Sequence, residues 1–118
     1  MNLPDLNRKV KKALAVDGPS FIHVFVPCIP GWKIDSSSTI TVAKLANNSG
    51  VFPLYEIEDG VLKLNKVSEK IPVDEYIMSQ GRFKHVTPQI MKKIQEYVDA
   101  RYKFLEDNNN KKIFDVLF

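Results

Sequence analysis

Apolar and polar positions change rhythm several times along this 118-residue chain. From Pro4 to Val16 the apolar residues Leu6, Val10 and Leu14 recur at helical spacing, and Arg8, Lys9, Lys11 and Lys12 fall on the other side. That spacing predicts a helix over 4–16, with Pro4 at its first positions and Asp5 near the positive end of its dipole. Asp17-Gly18-Pro19 stops it. The next run, Ser20 to Val26, is short and almost continuously apolar, and Pro27 ends it. Its β-branched and aromatic residues predict a strand buried on both faces, of the kind found in parallel α/β sheets.

Beyond that strand, Asp35-Ser36-Ser37-Ser38 offers N-caps for a helix to about Asn47, with Ile40, Ala43 and Ala46 at helical spacing beside Val42 and Leu45. Residues 51–67 predict a β-hairpin: Glu58-Asp59-Gly60 is the turn, and Leu62 and Leu64 alternate with Lys63 and Asn65. Pro53 marks a strand end or an edge. Pro72 opens a short helix that Gly81 closes. Thr87-Pro88 caps a last helix over about 88–106, with Met91, Ile94, Val98 and Leu105 as its inward stripe and Ile90 and Tyr97 alongside. Met91 is read as core filler. Asn108-Asn109-Asn110 breaks the pattern, and the tail Ile113 to Phe118 is apolar enough to dock on this domain or cover a partner. The expected organisation is therefore α/β, with residues 1–107 as one unit and 108–118 as an apolar tail.

This layout lacks a partner. A helix leading into a buried parallel strand is the second half of a βαβ crossover, and no strand precedes the helix. The apolar strand 20–26 would keep an unpaired edge, which soluble proteins avoid. The pattern thus predicts the C-terminal piece of a larger α/β domain, or a small subunit that completes one.

Composition adds bounds. At 44% hydrophobic and 26% charged residues the chain has an ordinary globular make-up with one modest core. No apolar run is long enough to cross a bilayer, and the first residues lack a signal peptide's apolar core. The one cysteine cannot form an internal disulfide, which favours a reducing cytoplasm. The net charge of +3 does not by itself point to nucleic acid, because charges bind phosphate only when clustered on one face. The basic side of the first helix has two readings, a patch for an acidic partner or a solvated helix face, and the second is the commoner case.

Candidate chemistry centres on Cys28, in the loop Pro27-Cys28-Ile29-Pro30-Gly31-Trp32 directly after the strand. In open α/β sheets, ligands sit beyond the carboxyl ends of strands. A lone cysteine is more often an inert buried thiol, and a nucleophilic role would need a base that neither His23 nor His85 is placed to supply. His23 reads as a core histidine. Arg82, Lys84 and His85 form either a cationic patch or a solvated turn, and Trp32 belongs either to the rim of the cysteine loop or to a subunit interface.

Lys9 to Leu14, Asp17 to Ile22, Pro27 to Trp32, Pro53 to Ile57 and Gln80 to His85, taken in order, resemble the C-terminal part of the β subunit of pyruvate:ferredoxin oxidoreductase (pyruvate synthase). The resemblance covers roughly residues 5–106. It implies a thiamine-diphosphate enzyme that decarboxylates a 2-oxo acid with coenzyme A and passes two electrons through iron–sulfur clusters to ferredoxin, reversibly. It also implies that Cys28 is the fourth ligand of the [4Fe–4S] cluster nearest the thiamine, in a Pro-Cys-x-x-Gly loop. The family's upstream Cys-x-x-Cys pair, and the Gly-Asp-Gly stretch with its later Asn that hold Mg²⁺ and diphosphate, are absent. The chain alone is therefore expected to bind neither thiamine diphosphate nor a complete cluster, and to work with the remaining β-subunit part and the other subunits. Related enzymes act on 2-oxoisovalerate, 2-oxoglutarate or oxalate; Gly31-Trp32 and Gly81 to His85 lean toward pyruvate by likeness. The rival reading is a non-catalytic basic interaction module that kept the fold remnant and lost the chemistry.

Overall fold

The computed structural model describes residues 2–115. Five helices, α1 (Leu3–Ala15), α2 (Ile29–Trp32), α3 (Thr39–Asn48), α4 (Val73–Met78) and α5 (Pro88–Asp107), accompany strands β1 (Tyr55–Glu58) and β2 (Val61–Leu64). Short 3₁₀ turns occupy Ser36–Ser38 and Gly81–Phe83. The hairpin and the long last helix stand where the sequence pattern puts them.

Helix α5 is the spine. Thr87 caps it by accepting a hydrogen bond from Ile90 N–H at 3.3 Å, and Pro88 supplies a first-turn φ that needs no donor. Its buried residues are Val98, Tyr102 and Leu105. Ile90 and Tyr97 point outward instead of inward, and with Phe104 they form an exposed row at seven-residue spacing. The expected stripe itself holds, with Val98 and Leu105 buried and Met91 and Ile94 partly buried against the core, and Tyr102 joins it, its hydroxyl accepting Val67 N–H at 3.1 Å. The first half of α5 packs on α4, whose Val73 N–H donates to Gln95 Oε1 at 2.9 Å. A cluster of Ile34, Val42, Ala46, Tyr76 and Ile77 fills the space between α3 and α4. In α3, Val42 and Ala46 are buried while Ile40 is exposed, so the helix buries the Val42 side of the expected stripe.

The hairpin is antiparallel, with Tyr55 opposite Leu64 and Glu58 opposite Val61. Asp59 and Gly60 both take positive φ, 52° and 79°, as a two-residue turn with the strands' own twist requires. Leu62 is buried and Lys63 exposed, so the alternation has its predicted meaning. The chain after α5 then returns along β2. Leu62 N–H donates to Lys111 C=O at 3.1 Å, Asn110 N–H to Leu62 C=O at 2.7 Å, and Ile113 N–H to Gly60 C=O at 2.8 Å. Of the apolar tail expected over Ile113 to Phe118, Ile113 docks on this domain through that last bond, while the Phe114 side chain is exposed. Residues 116–118 lie outside the described residues.

Two expectations are corrected. The segment 20–26 is extended but belongs to no β-ladder among the described residues. It is also not buried: Phe21 is 89% exposed and Val26 71%. Only its Phe25 side packs inward, against Phe52 (ring centroids 4.9 Å apart) and Trp32 (5.4 Å). His23 is likewise exposed, its ring set edge-on to Phe52, rather than in the core. The physical reason is the same for both: a strand becomes buried only when neighbouring strands and a second layer cover it, and no such layer lies among the described residues. Instead, an open groove of about 590 Å³ runs between α1, residues 22–27 and α3. The sheet observed is thus the antiparallel hairpin, beside a helix-rich body of partial α/β character.

Helix α1 attaches to the hairpin by charge. Arg8 pairs with Glu56 at 2.7 Å, and Lys12 with Glu56 and Glu58 at 2.8 and 2.6 Å. Asp5, buried, accepts from Arg8, Lys9 and Asn65. Burial works to raise the Asp5 carboxyl's pKa, but hydrogen bonds from Lys9, Asn65 and Arg8 outweigh it and hold it below the usual carboxylate range. Glu56 is held down likewise, burial being outweighed by Lys12 and Arg8. A carboxylate whose pKa is lower in the folded state contributes stability above its unfolded pKa and loses it as pH falls through the folded one. The docking of α1 is therefore expected to weaken progressively below about pH 4. Amide exchange in α1 measured at pH 7 and pH 3 checks this; an α1 equally protected at both values would show that packing, not charge, holds it.

Candidate functional site

Cys28 stands at the junction of the extended segment and α2. Its backbone is extended (φ −96°, ψ 109°), its carbonyl accepts Trp32 N–H at 2.9 Å, and its thiol is exposed. The turn that follows is tightly wound. Ile34 N–H reaches Ile29 C=O at 3.2 Å, and Lys33 leaves the turn in the left-handed region at φ 53°. Pro27 and Pro30 fix two φ angles around the cysteine. Gly31 leaves space beside the sulfur: a methyl there would sit 3.1 Å from Cys28 Sγ. The thiol is therefore accessible, lies at the end of an extended segment, and is carried on a backbone with little freedom.

One such thiol can be a metal ligand but not a metal site. Among the described residues no group of three or more His, Cys, Asp or Glu is arranged to hold a metal ion. Cys28 is therefore one potential donor with no such group assembled around it.

The neighbours of Cys28 divide clearly. Trp32 is half-buried one turn away, between the Phe25 ring and the guanidinium of Arg82, which lies 3.9 Å from its ring centroid. That places the indole at the rim of the cysteine turn. Arg82 also lies 4.5 Å from the Phe83 ring centroid and so is drawn away from Lys84 and His85, which are exposed. The three do not form one cationic surface. Nothing local in the sequence marks Arg82 as a partner of Trp32; the pairing spans fifty positions and depends on the loops meeting.

No protein-family model matches the chain. Curated relatives do. The pyruvate synthase subunit PorB of Methanocaldococcus jannaschii is 44% identical over 102 residues, 86% of this chain and 34% of that protein. PorB of Thermotoga maritima is 39% identical over 107 residues, and covers 86% of this chain and 33% of its own length. The ketoisovalerate oxidoreductase subunit VorB of Pyrococcus abyssi is 41% identical over 105 residues, again 86% of this chain and 34% of the relative. Over most of its length the chain is thus similar to the PorB and VorB subunits. It spans about one third of the length of the curated relatives it matches. No helix of the described residues is long and apolar enough to cross a membrane.

Proposed function

We propose that this PorB-like chain is the C-terminal part of the β subunit of a pyruvate:ferredoxin oxidoreductase, and that Cys28 donates one thiolate to the [4Fe–4S] cluster nearest the thiamine diphosphate. The assembled enzyme would convert pyruvate and coenzyme A to acetyl-CoA and CO₂, passing two electrons to ferredoxin, and would run in reverse. The observation that carries this reading is an exposed thiol held on a proline-stiffened turn, in a chain whose relatives include pyruvate synthase subunits. The cluster supplies one-electron transfer when bound. This chain's own part is to present the sulfur and to wall the site with Trp32.

Thiamine diphosphate and Mg²⁺ would be held by the remaining β-subunit part, with residues 1–107 completing that domain and 108–118 forming its tail, in the cytoplasm. The exposed apolar side chains of 20–26 and the groove beside them support this, since they offer a strand without neighbours and an apolar face to cover. VorB relatives at 40–41% identity make 2-oxoisovalerate the second substrate to test, by comparing its kcat/KM with that of pyruvate.

The basic interaction module is less well supported. Arg8, Lys9 and Lys12, three of the four cations on the basic side of α1, are engaged by Asp5, Glu56 and Glu58. Duplex DNA at physiological salt is therefore expected to bind no more tightly than about 10⁻⁴ M, the weak end of the non-specific range. A micromolar, steeply salt-dependent association would favour the module. Capture of the tagged chain from its own cells under strict anaerobiosis is expected to bring thiamine-binding and ferredoxin-like partners with stoichiometric iron. An iron-free monomer would count against the oxidoreductase reading.

A further inference from the structure

The turn Gly81–Phe83 is docked on the cysteine turn. Gly81 N–H donates to Lys33 C=O at 3.1 Å, an approach so close that a methyl on Gly81 would come within 2.8 Å of Lys33 Cβ. The next residue, Arg82, lays its guanidinium over the Trp32 indole at 3.9 Å. Behind that contact the fork is tied to the protein interior. Arg82 Nε donates to Gln80 Oε1 at 2.9 Å and Nη2 to the Tyr76 hydroxyl at 3.4 Å. Both acceptors belong to buried residues, and Gln80 Nε2 in turn donates to Tyr76 C=O at 2.9 Å. Contacts therefore run from the core, through Tyr76 and Gln80, to Arg82, to the Trp32 indole, and by the Trp32 backbone N–H to the Cys28 carbonyl.

A single helical turn such as α2 has little stability of its own, since nucleation fixes several dihedral angles for few hydrogen bonds. An external clamp can supply what the turn lacks. Arginine suits the task, because one planar group both stacks on an aromatic face and donates in a fixed fork.

We propose that Arg82 is a positioning residue for Cys28, acting through Trp32 to hold the cysteine turn so that the thiol meets the cluster in one orientation. This rests on the reading of Cys28 as a cluster ligand. The test uses the assembled oxidoreductase with Arg82→Ala, Arg82→Lys, Trp32→Ala and the Arg82→Ala/Trp32→Ala double variant. Two quantities are read: the rate at which a chelator removes iron from the proximal cluster, and that cluster's electron paramagnetic resonance line shape.

Arg82→Ala is expected to speed iron loss about tenfold and to broaden the signal, as loss of a partly buried cation–aromatic contact and its hydrogen bonds implies. Arg82→Lys should recover part of the difference, since a cation returns to the indole without the fork to Gln80 and Tyr76. The double variant should lose iron no faster than Trp32→Ala alone, because both changes cut one chain of contacts. Wild-type rates and line shape in Arg82→Ala would overturn the proposal, as would rate effects that multiply in the double variant. If Arg82→Ala fails to assemble, Arg82→Lys carries the test, and a wild-type line shape and rate there overturn it. Cys28→Ser separates the two ideas. A cluster unchanged in Cys28→Ser removes the ligand reading itself, whereas a cluster lost there and unchanged in Arg82→Ala removes only the positioning role.

Discussion

Replacing Cys28 with alanine in the assembled oxidoreductase is expected to abolish the proximal cluster while leaving the fold of this chain intact. The two halves of that expectation come from different physics. The thiol is exposed, so its removal creates no cavity, and a surface change of this kind costs about 0.5 kcal/mol or less. A cluster ligand, by contrast, has no substitute here, because Cys28 is the one cysteine of the chain and no group of three or more His, Cys, Asp or Glu is arranged to hold a metal ion among the described residues. Iron per β subunit should fall by the content of one cluster, and pyruvate-dependent ferredoxin reduction should drop to background. Thermal unfolding of the chain should be unchanged. Full iron content and full ferredoxin reduction in Cys28→Ala would end the ligand assignment. A loss of both together with a collapsed Tm would instead make Cys28 structural.

The second large effect is expected at Gly60, in the tip of the hairpin. A side chain there meets two obstacles. The residue sits at φ 79°, where an L-residue costs about 1–2 kcal/mol. A Cβ would also fall 2.0 Å from the Phe114 carbonyl oxygen, an overlap with backbone that no rotamer can relieve. The returning segment would have to move away, giving up the Ile113 N–H bond to Gly60 C=O, worth about 0.5–1.5 kcal/mol. Gly60→Ala should therefore destabilise the chain by about 2–3 kcal/mol and lower Tm by about 10 °C. In a chain ending at Lys112 the same substitution should cost only the backbone part, about 1–2 kcal/mol. Equal losses in both backgrounds would mean that the tail does not lie on the hairpin in solution.

These two positions differ in how legible they were. The turn Asp59-Gly60 is readable in the sequence because a two-residue hairpin loop demands positive φ at adjacent positions, and Asp-Gly accepts them. That Phe114 closes over this glycine is not readable, since the two lie more than fifty positions apart. The same contrast holds at the candidate site. Prolines on both sides of Cys28 and the family blocks around it mark the loop from sequence alone. In sequence Arg82 reads, with Lys84 and His85, as part of either a cationic patch or a solvated turn, and only the meeting of two loops turned it onto Trp32.

Segment 20–26 has the composition of a two-sided strand, and the chain is extended there, yet its faces are open and His23 is exposed. Composition reports what a segment can bury against, not whether the covering layer is present. The buried face of α3 was rotated from expectation, and Ile90 and Tyr97 lay outside the buried face of α5, for a related reason. Periodicity identified the helices, but Ile40, Ile90 and Tyr97 were as apolar as the residues that entered the core. Which apolar neighbours go inward depends on the shape of the opposing surface. The basic side of α1 gives the electrostatic version, because its cations find Glu56 and Glu58 more than forty positions away.

The sequence by itself determined the local grammar of this protein: where α1 and α5 begin, where the hairpin turns, and where a stiffened loop carries a lone thiol. Capping, proline and glycine dihedrals and side-chain period act over a few residues, so they are written in the order of those residues. Only the tertiary structure decided which faces are covered, which cations are already paired, and which arginine clamps the cysteine turn. Those outcomes depend on contacts between segments remote in the chain, where packing and ion pairing are set by shape and distance in space rather than by neighbours in sequence.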